Sequence, residues 1–175
     1  MTFEFPIRTA VPSDASTITA LVNSAYRGDS SRAGWTTEAD LLGGQRMDEK
    51  WMREIIASEG SVVLLHERDQ QIVASVHLKR TGDACYLGMI TVKPVLQGSG
   101  LGAALLEASE QWARTTWQSR SVHMTVIVQR PELVAWYERH GYRRTGERKP
   151  FPYGDVRFGL PARPDLAFEV LRKDL

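Results

Sequence analysis

The sequence predicts an α/β domain over residues 1–175, and three observations carry that expectation. Apolar residues first recur at helical spacing, then switch near Ser61 to the two-residue period of strands. A long amphipathic stretch after Gly100 is followed by Val122–Val128, an almost unbroken apolar run of the kind buried on both faces beside a parallel neighbour. No repeat and no linker interrupts the 175 residues, a length that suits a single domain of roughly 100–200 residues.

Taken in order, Phe3–Arg8 alternates weakly and reads as a first strand. Ser13 or Asp14 can accept from the free N–H groups that open a helix, whose buried stripe is Ile18, Leu21, Val22 and Ala25. Arg27–Thr37 reads RGDSSRAGWTT, polar and glycine-bearing, which predicts a loop, and Glu38–Leu42 suggests a short helical turn. Asp48 is placed to cap the next helix, with Trp51, Met52, Ile55 and Ile56 on its apolar side and Gly60 ending it. Ser61–His66 and Gln71–Lys79 are β-rich and joined by Glu67–Gln70, the pattern of an antiparallel hairpin. Tyr86–Val92 follows a turn at Thr81–Gly82–Asp83 as a third strand. The helix from about Gly100 to Trp117 is expected to bury Leu101, Ala104, Leu105, Ala108 and Trp112. Pro131, favourable in a first turn, opens a helix that runs to His140 and stops at Gly141. Tyr142–Arg148 and Leu166–Arg172 complete the strands, joined by the proline-rich loop Pro150–Pro164.

Composition removes several classes of function. Twenty-two Lys and Arg against 21 Asp and Glu leave +1, without the basic excess of a nucleic-acid or anionic-membrane binder. Cys85 is the single cysteine, so neither a disulfide scaffold nor a cysteine-built zinc site can form, and no metal is expected. There is no run of ~18 apolar residues, and Met1–Ala10 lacks the features of a secretory leader. The expectation is a soluble, cytoplasmic protein.

Chemistry concentrates at Gln97–Gly98–Ser99–Gly100–Leu101–Gly102, between a strand and a helix. Glycines at a helix N-terminus let successive backbone N–H groups point at an anion, and the helix dipole adds roughly half a positive charge there. A phosphate or pyrophosphate is the ligand such a site suits. The plain alternative is a turn that only reverses the chain. A P-loop is excluded, because no Gly-Lys-Ser/Thr follows. Gly98, Gly100 and Ala103 also satisfy the dinucleotide-binding spacing, with Arg130 available for a 2′-phosphate. Against that reading, Lys93–Gln97 separate the glycines from their strand, and too little chain follows for a doubly wound domain.

The block LGMITVKPVLQGSGLGAALLE resembles the acyl-CoA-binding segment of the GNAT superfamily of N-acyltransferases, whose motif is Gln/Arg-x-x-Gly-x-Gly/Ala. Gln97, Gly100 and Gly102 match it. A second block, LVAWYERHGYRRTGE, is similar to the family's Tyr-Glu-x-x-Gly-Phe/Tyr segment through Tyr137, Glu138, Gly141 and Tyr142. The resemblance implies a mixed, mostly antiparallel sheet with helices on both faces, splayed at one parallel strand pair. It also implies an acetyltransferase that uses acetyl-CoA as co-substrate, with the acceptor amine attacking directly through a tetrahedral intermediate. A non-catalytic acyl-CoA sensor and, less well supported, an NADP-dependent oxidoreductase are the alternatives. Members of the family often dimerise, which leaves a homodimer open, although no interface signature is visible in the chain.

By the same resemblance, backbone groups of Ile90, Thr91 and Val92 would face the cofactor's pantetheine arm like an added strand. Gln97, Gly98, Ser99, Gly100, Leu101, Gly102 and Ala103 would hold the pyrophosphate. Tyr137 would be the general acid that protonates the leaving thiolate; read alone, it is one more apolar member of the stripe Leu133, Trp136, Tyr137. The base is less defined. Arg130 stands where the family often has asparagine, and Tyr86 and Thr125 stand near positions that often carry glutamate. His123 shares strand parity with Thr125 and is the candidate base, with a hydrogen-bonded sheet histidine as the alternative; His77 ranks below it. The acceptor, a small-molecule or peptide amine, would meet Tyr26, Trp35 and Glu38, and the carboxylates of Glu38 and Asp40 would suit a cation. Arg32 could help to shape the same pocket. Cys85 lacks the partners of a nucleophile and reads as a small apolar strand residue.

Overall fold

In the computed structural model residues 5–175 are described, so Phe3 and Glu4 of the expected first strand lie outside the described residues. The first strand is β1 (Arg8–Thr9), followed by α1 (Ala15–Tyr26), the one-turn α2 (Gly28–Ser31) and β2 (Leu42–Gly43). Next come α3 (Glu49–Ala57), then β3 (Ser61–Arg68), β4 (Gln71–Thr81) and β5 (Ala84–Val92). The second half contains α4 (Leu101–Trp117), β6 (Ser121–Ile127), α5 (Pro131–Arg139) and β7 (Arg143–Pro150). The last elements are β8 (Leu160–Pro161) and β9 (Ala167–Asp174).

Among the described residues one sheet holds seven strands in the order β1-β3-β4-β5-β6-β9-β7. Every neighbouring pair in it is antiparallel except β5–β6, which is parallel. Strand alternation feeds two cores. Val63 and Leu65 pack with Ile18, Val22, Met52 and Ile55 of α1 and α3, while Leu64 between them joins Leu105, Leu106 and Tyr137 of α4 and α5. Helices therefore cover both faces of the sheet. Each fully buried Leu or Ile contributes about 1.5–3 kcal/mol, so the two layers of apolar side chains are the main force that fixes the sheet.

The local signals meet different fates. Asp48 caps α3 as expected, its Oδ1 accepting from the Trp51 N–H at 2.8 Å. Asp14 does not cap α1. It ends a 3-10 turn, Pro12–Asp14, and its carboxylate accepts from the Val11 N–H at 2.8 Å and from Arg8. The stripe on α4 is rotated from the expected one: Leu101, Leu105, Leu106, Ser109 and Ala113 are buried, and Ala104, Ala108 and Trp112 only half so. Glu110 lies on that face because the Tyr142 hydroxyl donates to it at 2.9 Å and the Lys173 ammonium pairs with it at 2.6 Å. Inside the expected loops, Gly28–Ser31 forms α2, and Leu160–Pro161 pairs with Leu42–Gly43 as a small second sheet. No helix among the described residues is long and apolar enough to cross a membrane.

The feature that creates a site is the parting of β5 from β6. They pair only through Ala84–Ser121, Cys85–Val122 and Tyr86–His123, although β5 continues to Val92 and β6 stays paired with β9 as far as Ile127. A bulge explains the divergence. Ser75 lies opposite Thr91 and His77 opposite Gly88, so β5 uses one residue more than β4 over this interval. Met89 takes up the extra residue at φ 50°, a left-handed conformation uncommon for a side-chain-bearing residue.

Candidate active site

Two cavities open from the gap between β5 and β6. The first has a volume of about 330 Å³ and is lined by Gly98, Gly100, Gly102 and Ala103 on one side and by Trp136 and Tyr137 on the other. The second, about 370 Å³, reaches inward past Tyr26, Tyr86 and Thr125 to an apolar wall that includes Phe151, Phe158 and Phe168. Ile90, Leu133 and Tyr137 line both, so the two cavities meet at these three residues.

The glycine-rich turn owes its form to backbone sterics. Gly98 and Gly100 have φ of 80° and 87°, where a Cβ is strained, and a Cβ built at either meets nothing within 4 Å. Gly100 opens α4 with no side-chain cap, and no acidic residue lies in the first turn. The N–H groups of Leu101, Gly102 and Ala103 therefore lie at the positive end of a 17-residue helix without a side-chain acceptor. That is the donor set a pyrophosphate needs. The side chains of Ser99 and Leu101 point elsewhere: the Ser99 hydroxyl donates to the Leu96 carbonyl at 2.5 Å, and Leu101 is buried in the core. Only their backbone can serve the cavity.

Gln97 braces the turn. Its Nε2 donates to the Val92 carbonyl at 3.1 Å, and its Oε1 accepts from the Thr36 N–H at 3.4 Å, a long contact. Gly34 lies against the same side chain so closely that a Cβ there would collide with it. In this way Gln97 joins the end of β5 to the 34–36 segment and brings Trp35, half exposed, to the mouth of the glycine cavity rather than to the inner one.

The strand edge facing the gap can be assigned from one bond. The Lys93 N–H donates to Val73 on β4 at 2.8 Å, so by alternation the backbone of Ile90 and Val92 faces away from β4, towards the gap. Thr91 faces β4, and its hydroxyl donates to the Met89 carbonyl at 2.9 Å. The Tyr26 hydroxyl donates to the Ile90 carbonyl at 2.8 Å, so Tyr26 stands at the junction of the two cavities.

Tyr137 follows Leu133 by one helical turn, and both side chains face the junction. It is 4% exposed, and among the described residues its hydroxyl has no hydrogen-bond partner. Burial, with Tyr26 adding to it, pushes the phenol well above its ordinary value, so it keeps its proton. Tyr142 in the same motif does a different job: its hydroxyl is committed to Glu110.

Glu38 lies in the inner cavity wall, 6% exposed, with its carboxylate shared between two guanidiniums. Arg27 binds one oxygen, and Arg130 Nη1 binds the other at 2.9 Å while its Nη2 donates to the Thr36 hydroxyl at 2.8 Å. Burial would raise the Glu38 carboxyl, but Arg130 and Arg27 outweigh it and hold the acid below its usual range. Asp40, expected beside it, is on the surface, paired with Arg32 at 2.7 Å. His123 lines neither cavity; its ring faces that of Tyr86, centroids 5.7 Å apart, and Tyr86 lines the inner one. Burial lowers its pKa. His77 is a hydrogen-bonded sheet residue, with Nε2 2.8 Å from the Ser61 hydroxyl. Cys85 is buried, and burial pushes its thiol up to about 12.

Sequence reasoning missed Arg27, Arg46 and the aromatic wall of Phe151, Phe158 and Phe168. No local pattern marks them. Arg46 lies just after Gly43–Gly44–Gln45, outside any periodic segment. Phe151 and Phe158 come from the expected loop Pro150–Pro164, and Phe168 from the expected strand Leu166–Arg172, where nothing local says which side chains will wall a cavity.

Comparison with known proteins fits this geometry. The sequence pattern of the family described as an acetyltransferase (GNAT) domain matches residues 35–151. No curated protein sequence matches the chain significantly. Among solved structures, a variant of spermidine N-acetyltransferase from Vibrio cholerae superposes with a TM-score of 0.67 at 15% identity, covering 97% of this chain and 94% of that one. A GNAT-family acetyltransferase from Streptococcus pneumoniae gives 0.66 at 19% identity, with 97% and 98% covered. The ribosomal-protein-S18-alanine N-acetyltransferase from Escherichia coli gives 0.68 at 16% identity, with 97% and 92% covered. At such identities the likeness is one of fold. The sequence match spans well over half of the chain, and the chain belongs to the GNAT acetyltransferase family.

Proposed function

We propose that the protein transfers an acetyl group from acetyl-CoA to a primary amine by direct attack, without a covalent enzyme intermediate. The observation that carries this reading is the meeting of two cavities at Ile90, Leu133 and Tyr137, one floored by free helix N–H groups and the other closed by apolar and charged side chains. A pyrophosphate fits the first, and an amine acceptor entering the second would reach the thioester at the junction. Bound acetyl-CoA supplies an activated acyl carbon with a fair leaving group. In the balance, a C–N bond forms, the C–S bond breaks, one proton leaves nitrogen and one reaches sulfur.

The chain's residues divide this work. Backbone N–H groups from Gly98 to Ala103 hold the pyrophosphate, and the gap-facing edge of Ile90 and Val92 aligns the pantetheine arm. An N–H near Ile90 polarises the thioester carbonyl; loss of such a donor typically costs ~10²–10³ in rate. Tyr137 donates the proton to sulfur. A phenol kept protonated by burial, without a competing acceptor, is suited to that step. At a pKa of ~10.4 an alkylamine is mostly charged at neutral pH, so its proton has to be removed. We assign its removal to His123, whose ring packs against that of the cavity-lining Tyr86, with a water carrying the proton between the amine and the imidazole. Its lowered pKa keeps His123 neutral at pH 7 and places the acid limb of the rate profile below the ordinary histidine value.

Thiol release from acetyl-CoA, measured with a mixed pool of primary amines, tests the reading. Amine-dependent thiol release that is cut in Tyr137→Phe supports it. Acetyl-CoA binding with no amine-dependent release across the pool would instead describe a sensor.

A further inference from the structure

The inner cavity carries an unusual charge for a site meant to receive an amine. Its charged lining side chains are Arg27, Arg46, Arg130 and Lys149 against Glu38 alone. Glu38 is already bound by Arg27 and Arg130, so no carboxylate is left for a cationic acceptor. Arg46 is different again. Among the described residues its guanidinium makes no hydrogen bond and no ion pair, and its Nη1 is buried without a partner. It rests over the Tyr26 ring, 5.7 Å from the centroid. A buried guanidinium nitrogen without an acceptor is costly, and a negatively charged oxygen is the group that relieves it.

Tyr26 connects Arg46 to the junction. Its ring lies under Arg46, and its hydroxyl reaches Ile90 at the junction where acetyl transfer would occur. A molecule with an anion on Arg46 and an amine near Ile90 would run alongside Tyr26, with its body against Leu42, Phe151 and Phe158. From this arrangement we infer that the acceptor is an oxyanion-bearing amine, a carboxylate or phosphate ester with an apolar body, and that Arg46 is its specificity-determining residue. The inference rests on the acetyl-transfer reading and deepens it. The transfer itself is unchanged: the acceptor nitrogen gains the acetyl group and loses a proton, and the thiol of CoA is released.

The test uses the full chain and three probes with related aromatic bodies: phenylacetate, phenyl phosphate and phenethylammonium, titrated by calorimetry. At least one oxyanion is expected to bind ~10-fold or more tightly than the cation, and the tighter of the two tells carboxylate from phosphate. Arg46→Gln should weaken that oxyanion ~10–100-fold, the usual scale for a lost charged hydrogen bond, with an unchanged circular-dichroism spectrum. Arg46→Lys, which keeps the charge, should recover part of the loss and serves if the glutamine variant does not fold. Equal or tighter binding of phenethylammonium, oxyanion binding that survives Arg46→Gln, or no oxyanion binding at all would overturn the proposal. A parallel titration with acetyl-CoA separates the two levels. If acetyl-CoA binds and the oxyanions do not, the acceptor class fails alone; if acetyl-CoA does not bind, both readings fall.

Discussion

Tyr137 is a buried residue whose hydroxyl has no hydrogen-bond partner among the described residues, so removing that hydroxyl should cost little stability, while on the proposed reading the reaction loses its proton donor. Tyr137→Phe is expected to lower kcat ~10–10³-fold with KM for acetyl-CoA nearly constant, as fits a group that acts on the leaving thiolate. A melting temperature that falls along with kcat would make Tyr137 a packing residue. Glu38 should show the opposite pattern. Its carboxylate compensates two buried guanidiniums, and Glu38→Gln leaves them facing each other, at a cost of about 3–5 kcal/mol in urea unfolding. An undisturbed unfolding midpoint would mean that water already screens the cluster. Tyr137 is legible in the sequence because a local motif surrounds it. Arg46 and the partners of Glu38 are not, because Arg27, Glu38, Arg46 and Arg130 come together only when three separate segments converge on one cavity.

At the scale of elements, the start of α4 offers the sharpest test. Gly100→Glu should abolish acetyl-CoA binding, but φ 87° at that position would also strain any side chain. Ala103→Glu avoids that confusion. A carboxylate at the third helical position favours the helix by about 0.3–1 kcal/mol through the dipole, yet it faces the site where a pyrophosphate would sit. The expected result is a protein at least as stable as the parent with no measurable acetyl-CoA binding by calorimetry; retained affinity would move the pyrophosphate off this helix. The glycine turn, the strand before it and α5 are readable because turn chemistry and period are local. The rotated stripe of α4 is not, since Ala104 and Ala108 suit a half-buried surface as well as a core, and the Tyr142–Glu110 bond decides which face turns in. The β2–β8 pair is hidden for another reason: it joins two-residue strands more than a hundred residues apart, with a proline in one of them.

Across the whole molecule, the layered arrangement follows from period alone, but the cleft depends on the bulge at Met89. Its one local sign is Gly88 inside an otherwise regular strand pattern, a sign that gives neither the register shift nor the parting of β5 from β6. The same sheet carries a pH dependence. His77 is pushed down to about 4, mainly by burial with Lys79 and Arg46 adding, against 6.5 for an unperturbed histidine. Between those values the unfolded chain binds a proton that the folded chain refuses, so stability is lost as pH falls through this window. The loss is up to roughly 3 kcal/mol by pH 4, and His77→Gln should flatten it in urea titrations compared across the window. An equally steep decline in the variant would assign the effect to other groups. The central claim, that the opening between β5 and β6 is an acetyl-CoA site, is tested most directly by calorimetric titration of the purified protein with acetyl-CoA, with NADPH as the control ligand. Saturable binding of acetyl-CoA in the micromolar range with no response to NADPH is the predicted result; binding of NADPH alone, or of neither ligand, would contradict it.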